Sequence, residues 1–335
     1  MYEDFFGLSR RPFAMSADPH FLYLTPQHRE AATGLIYSIL KHKGMVTVTG
    51  EPGTGKTTVL KAVLASISGA SLKVAYLAVP TLSTAEFLEF VLLQFGLVEL
   101  ARANKAERLL MLERFLLSMH EKGRTAVLVV DEAHKLSDEI LEEIRLLTNF
   151  ETSEGKLVQV VLAGQQELIE LLRRDSLSQL KQRIAYRFSL KGLSGDEVAG
   201  YIAHRWKRAG GASEPPFDAE AVEAIARYSQ GIPRLINAIC DNALVMAFGE
   251  GDARIGRKYI IDAARDLDLD DVAEADVGAG EPKAAEINHL ELLVAASSLA
   301  GDRSEPVLER RGSPRKESWL VRSARKLLAG RNGGE

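Results

Sequence analysis

The sequence Gly50-Glu51-Pro52-Gly53-Thr54-Gly55-Lys56-Thr57 determines how the rest of the chain is interpreted. It matches the pattern G-x-x-x-x-G-K-[ST], and it lies between a predicted strand at residues 45–49 and a predicted helix that begins at Lys56. The glycines allow the loop to curl so that successive backbone N–H groups point inward, and the first turn of the helix adds the positive end of its dipole. We therefore predict that the loop binds the phosphate groups of a nucleoside triphosphate.

The side chains of this loop have different predicted roles. The Lys56 ammonium group is expected to reach the β- and γ-phosphates, and the Thr57 hydroxyl to complete part of a Mg²⁺ coordination shell. The alternative is an ordinary glycine-rich turn, which the flanking strand and helix argue against. The predicted nucleotide-binding residues of the loop are Gly50, Glu51, Pro52, Gly53, Thr54, Gly55, Lys56, Thr57 and Thr58.

A pair of carboxylates follows a second apolar strand, predicted at residues 125–130. Asp131 and Glu132 end this strand, and Ala133 and His134 follow them. In open α/β sheets, ligands bind beyond the carboxyl ends of the strands, so the pair could face the same crevice as the phosphate loop. We then expect Asp131 to hold Mg²⁺ through water and Glu132 to orient and polarise the attacking water. A solvated acidic turn is the alternative for the pair, and His134 is either a nucleotide sensor or an ordinary polar residue at the start of a helix.

Short β-branched segments alternate with longer helical patterns in the first two thirds of the chain. This alternation is typical of βαβ units and of a mainly parallel sheet, and strands as apolar as residues 126–130 are best buried between helices on both faces. The expected fold class is therefore α/β, of the P-loop nucleotide-binding kind. The predicted strands are residues 45–49, 73–79, 125–130, 157–163 and 186–190. The predicted helices between them are residues 56–68, 84–95, 106–121, 137–149 and 166–172.

The sequence pattern divides the chain into five parts. Residues 1–30 are rich in aromatic residues and prolines and are interpreted as an extended segment packed on the domain that follows, at residues 31–192. Strand patterns then end, and helical patterns predict a small all-helical lid domain at residues 193–268. Acidic and low-complexity composition predicts a disordered linker at residues 269–313, and residues 314–330 have the pattern of a basic amphipathic helix.

The composition excludes several classes of protein. The chain of 335 residues has 42 Lys and Arg against 46 Asp and Glu, a formal charge of -4, which argues against a uniformly basic nucleic-acid binder. A single cysteine, Cys240, excludes a disulfide scaffold and a zinc site built from cysteines. No apolar run approaches the roughly 18–20 residues that cross a bilayer, and the start of the chain lacks the order of a signal peptide. We therefore expect a cytoplasmic protein, which a partner or its own tail could bring to the inner membrane.

The motifs together resemble those of the AAA+ ATPases. The phosphate loop, the Asp-Glu strand end and the segment Gly231-Ile232-Pro233-Arg234 at the start of a helix carry this likeness. A more specific likeness to the ExeA family, the general secretion pathway protein A-like ATPases, covers about residues 1–268. Secretion members of this family continue into a transmembrane segment and a periplasmic peptidoglycan-binding part, which this sequence is expected to lack. The likeness is carried by Phe5-Phe6-Gly7-Leu8, Pro12-Phe13, Asp18-Pro19, Tyr23-Leu24, His28-Arg29-Glu30-Ala31 and Leu146-Leu147-Thr148-Asn149-Phe150-Glu151.

The resemblance implies an ATPase that uses ATP and Mg²⁺ and works as a homo-oligomer, and it assigns three further roles by position. Gln165 matches the polar sensor that contacts the γ-phosphate and the attacking water, with Asn149 as a competing candidate. Arg183 matches the arginine finger that reaches the nucleotide of a neighbouring subunit, with Arg187 as the alternate. Arg234 matches the residue of the lid that swings to the γ-phosphate. The alternative for each position is an ordinary polar or charged side chain on the surface.

Two functions follow from the resemblance. The first is an oligomeric ATPase that couples hydrolysis to the assembly or regulation of a secretion, pilus or envelope-polysaccharide system, with a protein of that system as its client. The second is a DNA-associated ATPase switch, of the transposition or replication-regulator type, that recruits a partner enzyme to DNA. The basic pattern at residues 314–330 could contact an anionic membrane or the phosphates of DNA, or it could be a solvated terminus.

Overall fold

A five-stranded parallel sheet forms the centre of the α/β domain. The structure is a computed structural model, and it describes residues 1–67, 71–78, 82–97, 104–212 and 214–269. Its strands, in chain order, are β1 (Met45–Gly50), β2 (Leu72–Leu77), β3 (Thr125–Val130), β4 (Glu151–Thr152), β5 (Gly155–Lys156), β6 (Val158–Gly164) and β7 (Ile184–Leu190). The parallel sheet has the order β2-β3-β6-β1-β7, whereas β4 and β5 pair with each other as a short antiparallel hairpin.

Helices flank this sheet and then form a bundle of their own. Every residue of β1, β3 and β6 is buried, so both faces of the sheet are covered, and the predicted α/β P-loop fold is confirmed. The helices are α1 (Tyr2–Phe5), α2 (Pro26–Leu40), α3 (Lys56–Ile67), α4 (Thr84–Gln94), α5 (Lys105–Glu121), α6 (Asp138–Leu147), α7 (Glu167–Leu171), α8 (Ser178–Gln182), α9 (Gly195–Arg208), α10 (Ala219–Ser229), α11 (Pro233–Glu250) and α12 (Arg257–Asp266).

The structure differs from the sequence pattern in the bounds of some elements and in the shortest ones. β2 begins one residue earlier than predicted, and β7 begins at Ile184 rather than at residue 186. Neither the β4–β5 hairpin nor helix α8 was predicted. The two strands of the hairpin have two residues each and α8 has five, which is too short for these segments to show a hydrophobic period.

The first 25 residues pack in a different place from the one that the sequence predicts. The guanidinium group of Arg205, in α9, holds this segment through hydrogen bonds to the backbone oxygens of Pro12 (2.5 Å) and Ala14 (3.3 Å). The sequence predicts packing on the α/β domain, but the apolar residues of this segment enter the core of the α9–α12 bundle, and Pro19–Phe21 also lies beside α3. These buried residues are Tyr2, Leu8, Phe13 and Phe21.

Two connections join the sheet domain to the helical bundle, and they lie side by side. The first enters α2 after Thr25, and the second leaves β7 after Leu190. The Gln27 amide pairs with both backbone groups of Lys191, because its Nε2 donates to the carbonyl (3.1 Å) and its Oε1 accepts from the N–H (3.0 Å). The two connections are therefore fixed to each other where the chain passes between the domains.

The C-terminal predictions fall largely beyond the part of the chain that the structure describes. The acidic linker from residue 270 onward and the basic pattern at residues 314–330 lie outside it, so their predicted contacts with membrane or DNA stay predictions. Within the described ranges, no helix combines the length and the apolar character needed to cross a membrane.

Candidate nucleotide-binding site

The phosphate loop leaves β1 at its carboxyl end and closes over the start of α3. Gly53 and Gly55 have φ angles of +84° and +97°, a region that residues with a Cβ rarely adopt. A Cβ on Gly53 would also lie 2.5 Å from the Cβ of Arg234. Thr54 is fully buried, and its hydroxyl donates a hydrogen bond to the Glu51 carbonyl at 2.8 Å. The loop is therefore curled, and two glycines make its conformation possible.

Lys56 lies in the first turn of α3 and is almost completely buried. Its ammonium group donates hydrogen bonds to the carbonyl oxygens of Gly50 (2.8 Å) and Glu51 (2.9 Å). Burial lowers the pKa of this group, whereas the nearby carboxylates of Glu132 and Asp131 act in the opposite direction. A buried cation under a curled loop suits a phosphate chain, whose oxygens would take the place of the two carbonyl acceptors.

The Thr57 hydroxyl and the Asp131 carboxylate, which the sequence assigns to Mg²⁺, are in direct contact. Thr57 Oγ1 donates to Asp131 Oδ2 at 2.8 Å, although the two residues are 74 positions apart. The hydroxyl of Tyr76, in β2, donates to the same oxygen at 2.9 Å, a contact that no sequence motif pointed to. Burial and then the charge of Asp131 raise the pKa of Tyr76, so its hydroxyl stays a neutral donor. Hydroxyl and carboxylate oxygens are ligands that Mg²⁺ prefers, so these residues fit the predicted metal.

Glu132 begins a tight turn beside the loop. Its φ of +53° lies in the left-handed region, and its side chain is 35% exposed. The carboxylate lies 3.6 Å from His134 Nε2 and 3.9 Å from Lys135 Nζ. The backbone N–H of Gln165 donates to His134 Nδ1 at 3.4 Å, so Nδ1 is the acceptor nitrogen of the ring. His134 thus connects the turn after β3 to the end of β6.

Asn149 and Arg183, the alternative sensor and the predicted arginine finger, are hydrogen-bonded to each other. Arg183 Nη2 donates to Asn149 Oδ1 at 2.8 Å. Arg183 immediately precedes β7, so it lies at the amino-terminal edge of the parallel sheet, whereas the phosphate loop lies at the carboxyl edge. The structure therefore places Gln165 beside the acidic pair, Asn149 and Arg183 at the opposite edge, and Arg187 part-way along β7.

The helical bundle contacts the loop through the first turn of α11. The backbone N–H of Arg234 donates a hydrogen bond to the Gly53 carbonyl at 3.3 Å. Pro233 occupies the first turn of α11, where its missing N–H removes no helical hydrogen bond and its fixed φ suits the helix. The Arg234 side chain is exposed, and its Cβ and Cδ lie beside Gly53 of the loop.

His28 also contacts the loop, although no sequence pattern assigned it to the site. It lies in the first turn of α2 and is 3% exposed, and its Nε2 is 3.2 Å from the Thr54 carbonyl oxygen. Its Nδ1 is 2.7 Å from Thr25 Oγ1. Because a carbonyl only accepts, Nε2 carries the proton and Nδ1 accepts from the Thr25 hydroxyl. A neutral histidine therefore supports the loop from the side of α2.

We expect the folded chain to lose stability as the pH falls below about 6.5, partly because of His28. Burial lowers the pKa of His28 from its ordinary value of 6.5, so the unfolded chain binds this proton more readily than the folded chain. The stabilisation by neutral His28 is complete above pH 6.5 and is lost as the pH falls through the lowered pKa. Urea-unfolding curves at about pH 7.5 and 5.5 measure this loss, and His28→Gln should show a smaller difference between the two values.

A second buried histidine does not disturb the comparison between the wild-type chain and His28→Gln. His204, whose pKa burial also lowers, is present in both chains, so its contribution to the pH dependence cancels in the difference between them. An identical pH dependence of the unfolding free energy in the two chains would contradict the assignment of a neutral His28.

The chain is similar in sequence to several known proteins. A family model described as an AAA domain matches residues 39–172. The chain is similar to general secretion pathway protein A of Aeromonas hydrophila, with 42% identity over 255 residues that cover 76% of this chain and 46% of that protein. It is also similar to the ATP-dependent target DNA activator B of Escherichia phage Mu, with 29% identity over 153 residues that cover 44% of this chain and 45% of that protein. The chain thus spans less than half the length of these relatives.

Solved structures show the same fold at low sequence identity. The ORC2 protein of Aeropyrum pernix matches with a TM-score of 0.58 and 17% identity, covering 80% of this chain and 73% of that one. The Cdc6p protein of Pyrobaculum aerophilum matches with a TM-score of 0.57 and 18% identity, covering 74% and 70%. These likenesses concern the fold alone. The AAA domain match and the similarity to general secretion pathway protein A support an ExeA-like AAA+ protein, and the solved structures agree with its P-loop NTPase fold.

Proposed function

We propose that the chain binds ATP together with Mg²⁺ on the loop of residues 50–57 and hydrolyses it to ADP and phosphate. The observation that carries this proposal is the 2.8 Å hydrogen bond between Thr57 and Asp131. It joins the phosphate loop to the carboxylate pair at one edge of the sheet. This contact between two distant parts of the sequence supports a site for a magnesium nucleotide at that edge.

The residues around this contact have distinct proposed roles in the reaction. Lys56 binds the β- and γ-phosphates, while Thr57 and Asp131 hold Mg²⁺, directly or through water. Bound Mg²⁺ would supply positive charge against the phosphate oxygens. Glu132 orients the attacking water and accepts its proton, since its carboxylate is partly exposed next to the loop. Gln165, at the end of the neighbouring strand, is proposed to orient the same water.

We infer that the chain acts as a nucleotide-dependent homo-oligomer. Arg183 lies at the edge of the sheet opposite to its own phosphate loop, where its guanidinium group is hydrogen-bonded to Asn149. An arginine in that position suits the nucleotide of a neighbouring copy, where such a group typically raises kcat by about 10³–10⁵. Arg187, further along the same strand, is the alternate.

The helical bundle is proposed to act as a lid that responds to the nucleotide. Its helix α11 contacts the loop through the hydrogen bond from Arg234 to Gly53. The Arg234 guanidinium group is proposed to bind the γ-phosphate and so to hold the bundle against the loop. Loss of that phosphate on hydrolysis would release the contact, so a local charge change becomes a movement of the whole bundle.

The proposed role of this movement is the assembly or regulation of a secretion, pilus or envelope-polysaccharide system. The 42% identity to general secretion pathway protein A supports this choice. We propose that a protein of such a system is the client and that the chain works on the cytoplasmic face of the inner membrane.

A second candidate function is a DNA-associated ATPase switch that recruits a partner enzyme to DNA. The similarity to the ATP-dependent target DNA activator B of phage Mu favours it. In this case the phosphates of DNA, rather than an anionic membrane, would be the contact of the basic C-terminal pattern.

Binding to anionic vesicles and to DNA separates the two candidates. We expect the full chain to sediment with phosphatidylglycerol vesicles at low salt, because residues 314–330 combine basic side chains with Trp319 and leucines. A variant truncated after Asp270 should stay in solution. Salt-sensitive, ATP-dependent binding of a DNA duplex without vesicle binding would contradict the membrane role and support the DNA-associated switch.

A further inference from the structure

A cleft on one face of the parallel sheet is lined by three cations. It has a volume of about 220 Å³, and we call it the basic cleft. Its floor is β1, one wall is formed by Ile169 and Leu172, and the cations Arg173, Lys181 and Arg187 surround it. No residue of the phosphate loop, residues 50–57, is among the residues that line the basic cleft, so the two are different sites.

The floor of the basic cleft is polar although it belongs to a buried strand. Thr47 and Thr49 are 3% and 4% exposed, and their positions two apart in β1 put both side chains on the same face of the sheet. The Thr49 hydroxyl donates to the Phe188 carbonyl at 3.3 Å. The Thr47 hydroxyl has no side-chain hydrogen bond to any residue that the structure describes, and the residue lines the cleft. An enclosed hydroxyl of this kind favours a polar occupant over an apolar one.

The three cations come from separate elements. Arg187 is the β7 residue opposite Thr47 in the parallel register, so the two side chains lie next to each other on one face. Arg173 follows α7, and Lys181 lies in α8. None of the three pairs with a carboxylate among the described residues. Like charges around one small cleft repel each other, and a bound anion would remove that repulsion.

The basic residues just outside the cleft have partners. Arg174 Nη1 lies 3.0 Å from Asp138 Oδ1, and Arg183 Nη2 lies 2.8 Å from Asn149 Oδ1. Basic side chains on this surface can therefore have protein partners, as Arg174 and Arg183 do. The lack of such a partner distinguishes the side chains that line the cleft.

The size and donor set of the cleft indicate the chemistry of its ligand. Sites for whole small molecules usually measure about 300–1,000 Å³, so the cleft suits one anionic group rather than a nucleotide. Guanidinium forks and hydroxyls match the oxygens of a phosphate, and a dianionic phosphate offsets more of the three positive charges than a carboxylate does.

We propose that the basic cleft binds a single phosphate group. Arg173, Lys181 and Arg187 hold its oxygens, and the Thr47 hydroxyl donates to it from the floor. Free inorganic phosphate and a phosphodiester of a nucleic acid are the two sources of this group. The site does not depend on whether the phosphate loop hydrolyses ATP.

Calorimetric titration with inorganic phosphate tests the proposal on the full chain carrying Lys56→Ala, which removes the phosphate-binding cation of the loop. We expect saturable binding that Arg173→Gln and Lys181→Gln each weaken by about tenfold or more, the effect of one lost charged hydrogen bond. Arg174→Gln is the matched control, because it removes the same charge from the adjacent residue, which is paired with Asp138. It should change the dissociation constant by less than about twofold. All three substituted side chains are exposed, so the fold should not be affected.

The remaining outcomes either support the phosphate site or overturn it. If a short DNA duplex competes with phosphate and Arg173→Gln weakens both, the site takes a phosphodiester; if DNA does not compete, it takes free phosphate. Absence of saturable phosphate binding would overturn the proposal. So would an equal loss with Arg174→Gln, or binding of acetate as tight as that of phosphate.

Discussion

Lys56→Ala is expected to abolish ATP binding. The Lys56 ammonium group is buried under the loop, and no other Lys or Arg side chain that the structure describes donates a hydrogen bond to the loop carbonyls. Hydrogen bonds to charged groups contribute about 1.5–3 kcal/mol each, so losing two of them weakens binding by roughly 100-fold or more. Fluorescence anisotropy with a labelled, non-hydrolysable ATP analogue measures the dissociation constant.

Lys61→Ala is the matched control for this substitution. Lys61 lies in the same helix, and its side chain is exposed. Its loss removes the same charge without touching the loop, so the affinity for the nucleotide should hardly change. Similar dissociation constants for Lys56→Ala and Lys61→Ala would remove Lys56 from the site.

Glu132→Gln is expected to bind ATP with nearly unchanged affinity and to release phosphate about 10²–10⁴ times more slowly. Glutamine keeps the size of the side chain and can still hydrogen-bond to water, but it cannot accept the proton of the attacking water. Phosphate release under single-turnover conditions measures the chemical step. Glu170→Gln, in the exposed part of α7, is the matched control and should keep the full rate.

Mixtures with Arg183→Ala extend the Glu132→Gln experiment to the oligomer. A chain with Glu132→Gln retains its Arg183, so it should restore hydrolysis in a neighbouring chain that carries Arg183→Ala and an intact Glu132. Restored activity in the mixture supports action across the subunit boundary. Phosphate release at the wild-type rate by Glu132→Gln alone would contradict the role of Glu132, whatever the mixture does.

The sequence predicts the parts of this site that a local pattern encodes. The loop of residues 50–57 and the Asp131–Glu132 pair each follow an apolar strand, and parallel strands bring their carboxyl ends to one edge of the sheet. Their meeting could therefore be expected from two short motifs. The 2.8 Å contact between Thr57 and Asp131 has the geometry that this expectation requires.

Contacts made by residues to which the sequence assigns no role in the site could not be predicted in this way. The sequence predicts that Tyr76 lies in a strand but gives it no role. Its hydroxyl reaches Asp131 because β2 pairs with β3. His28 belongs to a segment that carries the resemblance to the ExeA family, but the resemblance assigns it no role, and its contact with Thr54 depends on how α2 packs beside α3. Residues 1–25 show aromatic side chains that need burial, but not which of two cores would receive them.

The pairing of Gln27 with Lys191 restricts how the two domains can turn against each other. A body held by one flexible tether can tilt in every direction, whereas two tethers fastened at one place allow rotation mainly about the line through them. The apolar residues of the segment 1–25 are part of the core of the bundle, so this segment would move together with the bundle as one body. Helix α11 has 18 residues and is about 27 Å long, and its first turn contacts Gly53. A rotation of α11 about this contact would therefore move its far end more than its near end.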